Sequence, residues 1–573
     1  MNYYGVYHQD YVQRNGSICD APCISKGRMM LCAHASASEG SLLAMTAGRL
    51  RNRRALASEL GCPGECEAAR LVLRAYRRWK TDYPRHLEGP VVSCVMDADG
   101  DILVLSRDRM GEQPLFYAEK GGRAAFSDHP DTLLKNAVAE PVVDDAGLRE
   151  LFGLGPARTP GVTYIRDIAM LEPGCALVME AGRLRIDRYF EIQARPHVDD
   201  EARTIDTVRG MLEQAVDDVA ALNPAVMLSG GLDSTALTAL LARSRSDLMS
   251  FSIDYQDNER DFRANAFRPE MDAPYVRLAV QAYHTQHRTV MLDQQSLVGA
   301  LGRAVSLRGF PGMADIDTSL LLFSRDIARY ARNVVSGECG DEVFGGYPWF
   351  RGEAALEGFP WSGSLALRES LLLPEVRERL RLKEYVGDVF AARRAMADPG
   401  AEYAPGERRL KTMQKLCFEY FMTNLQERAV RMCEGAGVRV LTPLCDDRLA
   451  QYVFNVPWDV KFMGGQEKGL FRAAVADLVP EKLLRRTKSP YPKTCIPEFS
   501  RLMRQTALRM AEDADNPVFQ IVDRRRLRDL AESELNPVDT PWFGQLMAGP
   551  QLLGYLWQVN RWMRERNIQL ETV

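Results

Sequence analysis

The sequence has no apolar run approaching the roughly 18 residues that a membrane-spanning helix needs, and its start shows no basic-apolar-small signal pattern. It also has no surplus of one charge. The formal net charge is −4 over 573 residues, which gives no electrostatic footprint for nucleic acid or a membrane surface. These absences point to a cytoplasmic protein with no nucleic-acid and no membrane partner, and the length allows at least two domains. Tight cysteine pairs are missing too. The twelve cysteines are scattered, and Cys19/Cys23 and Cys62/Cys66, with Cys32 nearby, are spaced more widely than closed zinc sites usually are. Most of these cysteines are expected to be reduced, partly buried thiols.

The last absence concerns a loop. Ala225-Val-Met-Leu-Ser-Gly-Gly-Leu-Asp-Ser-Thr235 reads as an apolar strand, a glycine-rich turn and a helix starting near Ser234, yet no Gly-Lys-Ser/Thr follows. The backbone N–H groups of Ser229, Gly230 and Gly231 could cradle a phosphate beside a helix N-terminus. Two glycines let the backbone come close. Asp233 would repel that phosphate unless a divalent cation lay between them. The hexapeptide Ser-Gly-Gly-Leu-Asp-Ser resembles the pyrophosphate loop of ATP pyrophosphatases, which implies ATP cleavage between the α and β phosphates and adenylation of a substrate.

Upstream, Val91 to Ser106 reads as a hairpin around Asp-Ala-Asp-Gly, and Cys175 to Ile186 as another. Arg107-Asp-Arg-Met-Gly-Glu-Gln-Pro-Leu-Phe-Tyr117, Leu171-Glu-Pro-Gly174 and Arg188-Tyr-Phe190 resemble the glutaminase domain of glutamine-dependent asparagine synthetases. The resemblance covers nearly the whole chain. It implies an α/β and α+β protein: residues 1–195 form an N-terminal Ntn-hydrolase-like αββα sandwich, and residues 205–573 form a parallel-sheet adenine-nucleotide α-hydrolase-like synthetase domain with a helical C-terminal part. Residues 196–205 read as a polar linker.

The first domain departs from its family. A glutaminase of this type uses a cysteine after the initiator Met, where this sequence has Asn2; its glutamine-holding Asn-Gly-Glu falls on Ala47-Gly48-Arg49, and its amine-binding Asp on Glu65. Arg49 reverses the charge that would meet an ammonium group. The expectation is a degenerate glutaminase that does not hydrolyse glutamine.

In the second domain, Asn333-Val-Val-Ser-Gly-Glu-Cys-Gly-Asp-Glu-Val-Phe-Gly-Gly-Tyr347 supplies a second acidic loop after a strand. Alternating strands and helices imply a parallel sheet with ligands at the strands' carboxyl ends. Asp341 is expected to pair with Asp233 in holding Mg²⁺. Glu338 is expected near the reacting centre, to orient or deprotonate the attacking amine. The resemblance implies ATP contacts at Leu228, Ser229, Gly230, Gly231, Asp233, Ser234, Ile253, Ser336 and Gly337. In the basic, proline-stiffened Arg485-Arg-Thr-Lys-Ser-Pro-Tyr-Pro-Lys-Thr494, the resemblance places Lys488 at the developing negative charge, with Lys493 a weaker candidate. Asp315 and Asp317 are candidates for the acceptor pocket. Asparagine synthetases carry Glu-x-Arg-x-Pro-Phe where this chain has Arg439-Val-Leu-Thr-Pro-Leu444, which counts against free aspartate; Asp446 remains.

An intact adenylating half beside a disabled nitrogen-supplying half resembles lasso-peptide macrolactam synthetases. That implies closure of a precursor peptide's Asp or Glu side chain onto its own N-terminal amine, with a leader-peptide-binding protein and a leader protease as partners. The alternatives are an ammonia-dependent asparagine synthetase and a β-lactam-synthetase-like ligase; the latter group typically has Tyr where this chain has Glu338.

Overall fold

A computed structural model describes residues 3–7, 21–62, 66–136, 138–264, 270–352, 356–494, 496–533 and 541–571. The chain divides into two units. One comprises residues 1–151, 158–191 and 568–573, the other 152–157 and 192–567.

The first unit contains two antiparallel six-stranded sheets. Strand Val91–Asp97 shows how the layers form. Its side chains alternate: Val92, Cys94 and Met96 join Tyr3, Leu31 and Phe126 between the sheets, while Val91 and Val95 meet Leu71, Val72 and Tyr76 on the other face. Those last three belong to helix Ala68–Trp79. Helix Pro130–Lys135 packs on strands Phe116–Lys120 and Arg123–Ser127 of the second sheet. This is the αββα sandwich expected, and both hairpins read from the sequence are present, as Val91–Asp97 with Ile102–Ser106 and Cys175–Glu180 with Arg183–Arg188.

Two features of this unit were not anticipated. The C-terminal strand Gln569–Leu570 pairs in parallel with Val142–Val143, so the chain's end returns to the first unit. Cys23 and Cys32, opposite each other on paired strands, form a disulfide, a pairing the sequence reading did not foresee. Cross-strand pairing puts their sulfurs within reach, which spacing along the sequence does not reveal. Cys19 lies outside the described residues.

The second unit is built on a five-stranded sheet, in the order Gln286–Leu292, Met249–Tyr255, Ala225–Met227, Asn333–Val335, Arg439–Leu441. Every pairing is parallel. Phe251, Val290 and Val334 on these strands join Leu321 and Ile327 of helix Asp315–Ile327 and Met432 of helix Thr423–Ala436 in one core. Numbered along the chain, the strands lie 3-2-1-4-5. The order reverses between Ala225–Met227 and Asn333–Val335, so the crevice outside their carboxyl ends is a topological switch point, the place where such sheets bind ligands. Helices start earlier than the sequence suggests. Helix Glu201–Ala220 begins inside the residues read as a linker, because Asp200 accepts a hydrogen bond from the Arg203 N–H and caps it. No helix among the described residues is long and apolar enough to cross a membrane.

Candidate functional site

Two loops leave the adjacent strands at the switch point. In the first, Gly230 has φ +70°, and a Cβ there would lie 2.8 Å from the Val276 N and the Tyr275 Cβ. Conformation and space both require glycine. The loop closes on itself: the Ser234 hydroxyl accepts from the Ser229 N–H at 3.1 Å, and the Ser229 hydroxyl accepts from the Gly231 N–H at 3.3 Å. Two of the three N–H groups expected to face a phosphate are therefore bonded to the loop's own hydroxyls, a known competition from short polar side chains. Helix Leu232–Ala242 follows and places Asp233 in its first turn.

The second loop follows strand Asn333–Val335 and leads into helix Gly340–Phe344. Its glycines set how close the loops come. A Cβ on Gly337 would lie 3.0 Å from the Asp233 Cβ, and one on Gly340 would lie 2.9 Å from the Asp233 Cγ and the Leu444 Cδ1. Asp233 thus lies against the second loop, close to Asp341.

Lys468, which neither loop contains, joins the two acids. Its Nζ is 2.5 Å from Asp233 Oδ2 and 2.6 Å from Asp341 Oδ1. Lys488 Nζ donates to Asp341 Oδ2. Burial alone would push the Asp341 carboxyl up, but Lys468 and Lys488 together hold it well below the usual carboxylate range. Asp233 is pushed up by burial, against the pull of Lys468. Lys468 is raised: burial opposes its charge, and the two carboxylates outweigh burial. Asp233 Oδ1 is buried with no hydrogen-bond partner among the described residues. Two hard carboxylates and an unsatisfied oxygen fit a divalent cation that takes its remaining ligands from a nucleotide's phosphates.

Glu338 lies next to Arg428, whose Nη1 is 3.3 Å from its Oε1. Burial raises the Glu338 carboxyl, Arg428 opposes that rise, and the Asp341 charge adds to it. Arg428 is itself buried. Its Nε is 3.5 Å from Asp317 Oδ1, its Nη2 donates to the Ile316 carbonyl, and it stacks on the Tyr491 ring.

Leu228, Ser229, Gly231, Asp233, Ser234, Ile253, Ser336, Gly337, Glu338, Asp341 and Lys488 all line one cavity of 290 Å³, and Gly230 shapes its loop without lining it. Three other readings are corrected. Asp317 does not line the cavity; it lies between Arg308 and Arg428 as a buried ion pair. Asp315 accepts from Gln551 and is fully buried. Both acids precede an apolar helix face, so they fold inward with it. Lys493 donates to the Leu546 carbonyl outside the lining. Residues 439–446 also stay out of the cavity: Arg439–Leu441 is a strand and Asp446 caps the next helix and pairs with Arg448.

The sequence reading missed Lys468 and Arg428. Lys468 is 235 residues from Asp233, and its only local signal is a glycine-flanked stretch, Gly464 to Gly469. Arg428 is an arginine on the inward face of helix Thr423–Ala436, a position where an unpaired charge would be costly.

In the first unit, Ala47 and Gly48 end strand Leu42–Gly48, and the Arg49 N–H donates to the Pro90 carbonyl at 2.8 Å. Asn2 and Glu65 lie outside the described residues.

Comparison with known proteins follows this division. Residues 207–564 match the family "Asparagine synthase" and residues 43–190 match "Glutamine amidotransferase domain". Among curated proteins, the chain is 36% identical over 538 residues to "Asparagine synthetase [glutamine-hydrolyzing] 3" of Bacillus subtilis (strain 168), covering 91% of this chain and 87% of that one. It is 25% identical to a "Putative asparagine synthetase [glutamine-hydrolyzing]" of Mycobacterium bovis, over 74% of this chain and 69% of that one. It is 23% identical to "Amidase chyE" of Penicillium rubens, over 53% of this chain and 46% of that one.

Proposed function

Because the chain belongs to the asparagine synthase family of ATP-dependent, AMP-forming carbon–nitrogen ligases, we propose that it activates a carboxylate in the switch-point cavity and joins it to an amine that does not come from glutamine. ATP would lie with its base against Leu228, Ile253 and the Ser336–Gly337 backbone, and its phosphates toward Asp233, Asp341, Lys468 and Lys488. Asp233 and Asp341 are the residues that would hold Mg²⁺, which when bound neutralises phosphate charge. The acceptor carboxylate attacks the α-phosphorus, pyrophosphate leaves, and an acyl-adenylate forms. The Lys488 ammonium faces the developing negative charge. Glu338, raised by burial, accepts at a carboxylate oxygen the proton of the amine that attacks the acyl carbon, and AMP leaves.

The observation that carries the proposal about the amine is Arg49. It follows strand Leu42–Gly48, at the position where the family resemblance puts a carboxylate that meets a glutamine's ammonium group. An amine delivered directly suits the reading of a lasso-peptide macrolactam synthetase. In that reading a precursor peptide's own N-terminal amine closes a ring onto its Asp or Glu side chain, and holding both ends in one cavity supplies proximity. A leader-peptide-binding protein and a leader protease would be its partners.

A second reading is an asparagine synthetase, which fits the names of the relatives no worse; without glutamine hydrolysis it would use ammonia. Glu338 counts against a β-lactam-synthetase-like ligase. The test is mass spectrometry of a precursor peptide incubated with the enzyme, ATP and Mg²⁺, beside an assay for asparagine from aspartate and ammonium. Loss of one water from the peptide supports ring closure; asparagine without peptide cyclisation supports the second reading and removes the first.

A further inference from the structure

Beyond Lys488, the cavity is lined by a turn that no motif of the sequence singles out. Trp542, Phe543 and Met547 are fully buried, and they anchor the turn while Gly544, Gln545 and Leu546 line the cavity. Backbone bonds fix it: the Trp542 N–H donates to the Met547 carbonyl and the Gly544 N–H to the Trp361 carbonyl, each at 2.7 Å. Lys493 Nζ donates to the Leu546 carbonyl at 2.8 Å. Gly544 has φ +57°, and a Cβ there would lie 3.3 Å from the Phe421 ring. The turn is therefore held by backbone bonds and lies beside Phe421.

A continuous path of contacts links this turn to the acids. The Phe421 ring meets Tyr347 edge-on at 5.3 Å, Lys488 Nζ lies 4.7 Å from the centre of the Tyr347 ring, and Lys488 reaches Asp341. This path puts the turn at the Lys488 end of the cavity. The walls here are mainly apolar, from Met313, Ile316, Phe421, Leu425 and Leu546. The charges at this end are already matched, Arg428 with Glu338 and Asp317, and Lys488 with Asp341. The Gln545 amide differs, since it makes no hydrogen bond among the described residues. A free amino acid would bring an ammonium and a carboxylate that both need partners, whereas an acylated residue brings amides and apolar atoms.

We propose that the Trp542–Met547 turn is the acceptor-recognition element. Leu546 packs on an apolar neighbour of the activated carboxylate, and the Gln545 amide hydrogen-bonds an amide of the acceptor. The acceptor class is then a carboxylate within a peptide-like chain, not a free amino acid. This rests on the ligase reading above.

The test is ATP–pyrophosphate exchange driven by two probes, N-acetyl-leucyl-aspartyl N-methylamide and L-aspartate. The dipeptide is expected to give a kcat/KM about tenfold higher or more. Leu546→Asp should lower the dipeptide's kcat/KM about tenfold through KM, and Gln545→Ala about threefold, with KM for ATP within about twofold of the parent. Leu546→Ala, a milder change, guards against misfolding and should act in the same direction; the unchanged ATP KM reports an intact nucleotide end. Preference for aspartate, or variants that leave the dipeptide's kcat/KM unchanged, overturns the inference alone. No exchange with either probe removes the ligase reading, and the inference with it.

Discussion

Lys468 carries more of the site's electrostatics than either motif residue it touches. It is buried at 4% exposure and contacts both Asp233 and Asp341. Lys468→Met would leave two close, buried carboxylates without the cation that contacts both, and removing one partner of a buried charge pair costs about 3 kcal/mol or more. Pyrophosphate release should fall about a hundredfold or more; steady-state kinetics checks this, and a loss under about threefold would contradict the role assigned to it. Asp315 offers a test of a different kind. Burial raises its carboxyl to about 6, while the Gln551 hydrogen bond pulls the other way. Its folded value lies above its unfolded one, so the neutral form is favoured on folding. Its contribution is fully present below about pH 4 and lost as pH rises through about 6, a swing of about 3 kcal/mol. Asp315→Asn keeps the acceptor for Gln551 and removes the titration. Urea midpoints should show the variant gaining on the parent between pH 4 and 7; a pH-independent difference would rule this out.

At the scale of elements, the two strand–loop–helix units were legible because their signals are local: an apolar strand, then glycines where no side chain fits. Gly340 illustrates this. A Cβ there meets both Asp233 and Leu444 at 2.9 Å, so Gly340→Ala should push the loops apart. AMP formation should be lost, while overpacking costs stability only about 1–3 kcal/mol. Circular dichroism and AMP release measured together check this, and a fully active variant would show that the loops need not be so close. The start of helix Glu201–Ala220 was read as linker because its cap, Asp200, precedes the apolar pattern. The acids Asp315 and Asp317 were misplaced because hydrophilic residues at a helix start usually face solvent or a ligand, whereas these turn inward to Gln551 and to Arg308 and Arg428. The Trp542–Met547 turn gave no warning, since its role depends on contacts with residues more than a hundred positions away, Phe421 and Trp361 among them.

At the scale of the molecule, the sheet order 3-2-1-4-5 explains why two loops about a hundred residues apart bound one cavity. The fold class was readable because the motifs of both units carry a family resemblance and the second alternates strands and helices, while the disulfide Cys23–Cys32 and the C-terminal strand Gln569–Leu570 depend on pairing across space. Chemistry and acceptor separate at this scale as well. The acids and lysines of the second unit suit adenylation of many carboxylates, and the proposal of a directly supplied amine rests on Arg49 in the first. The most direct measurement is therefore glutamate release from isotopically labelled glutamine, with ATP, Mg²⁺ and aspartate present. The account predicts no labelled glutamate above the enzyme-free control; ATP-stimulated glutamate release would contradict it and return the chain to glutamine-dependent amide synthesis.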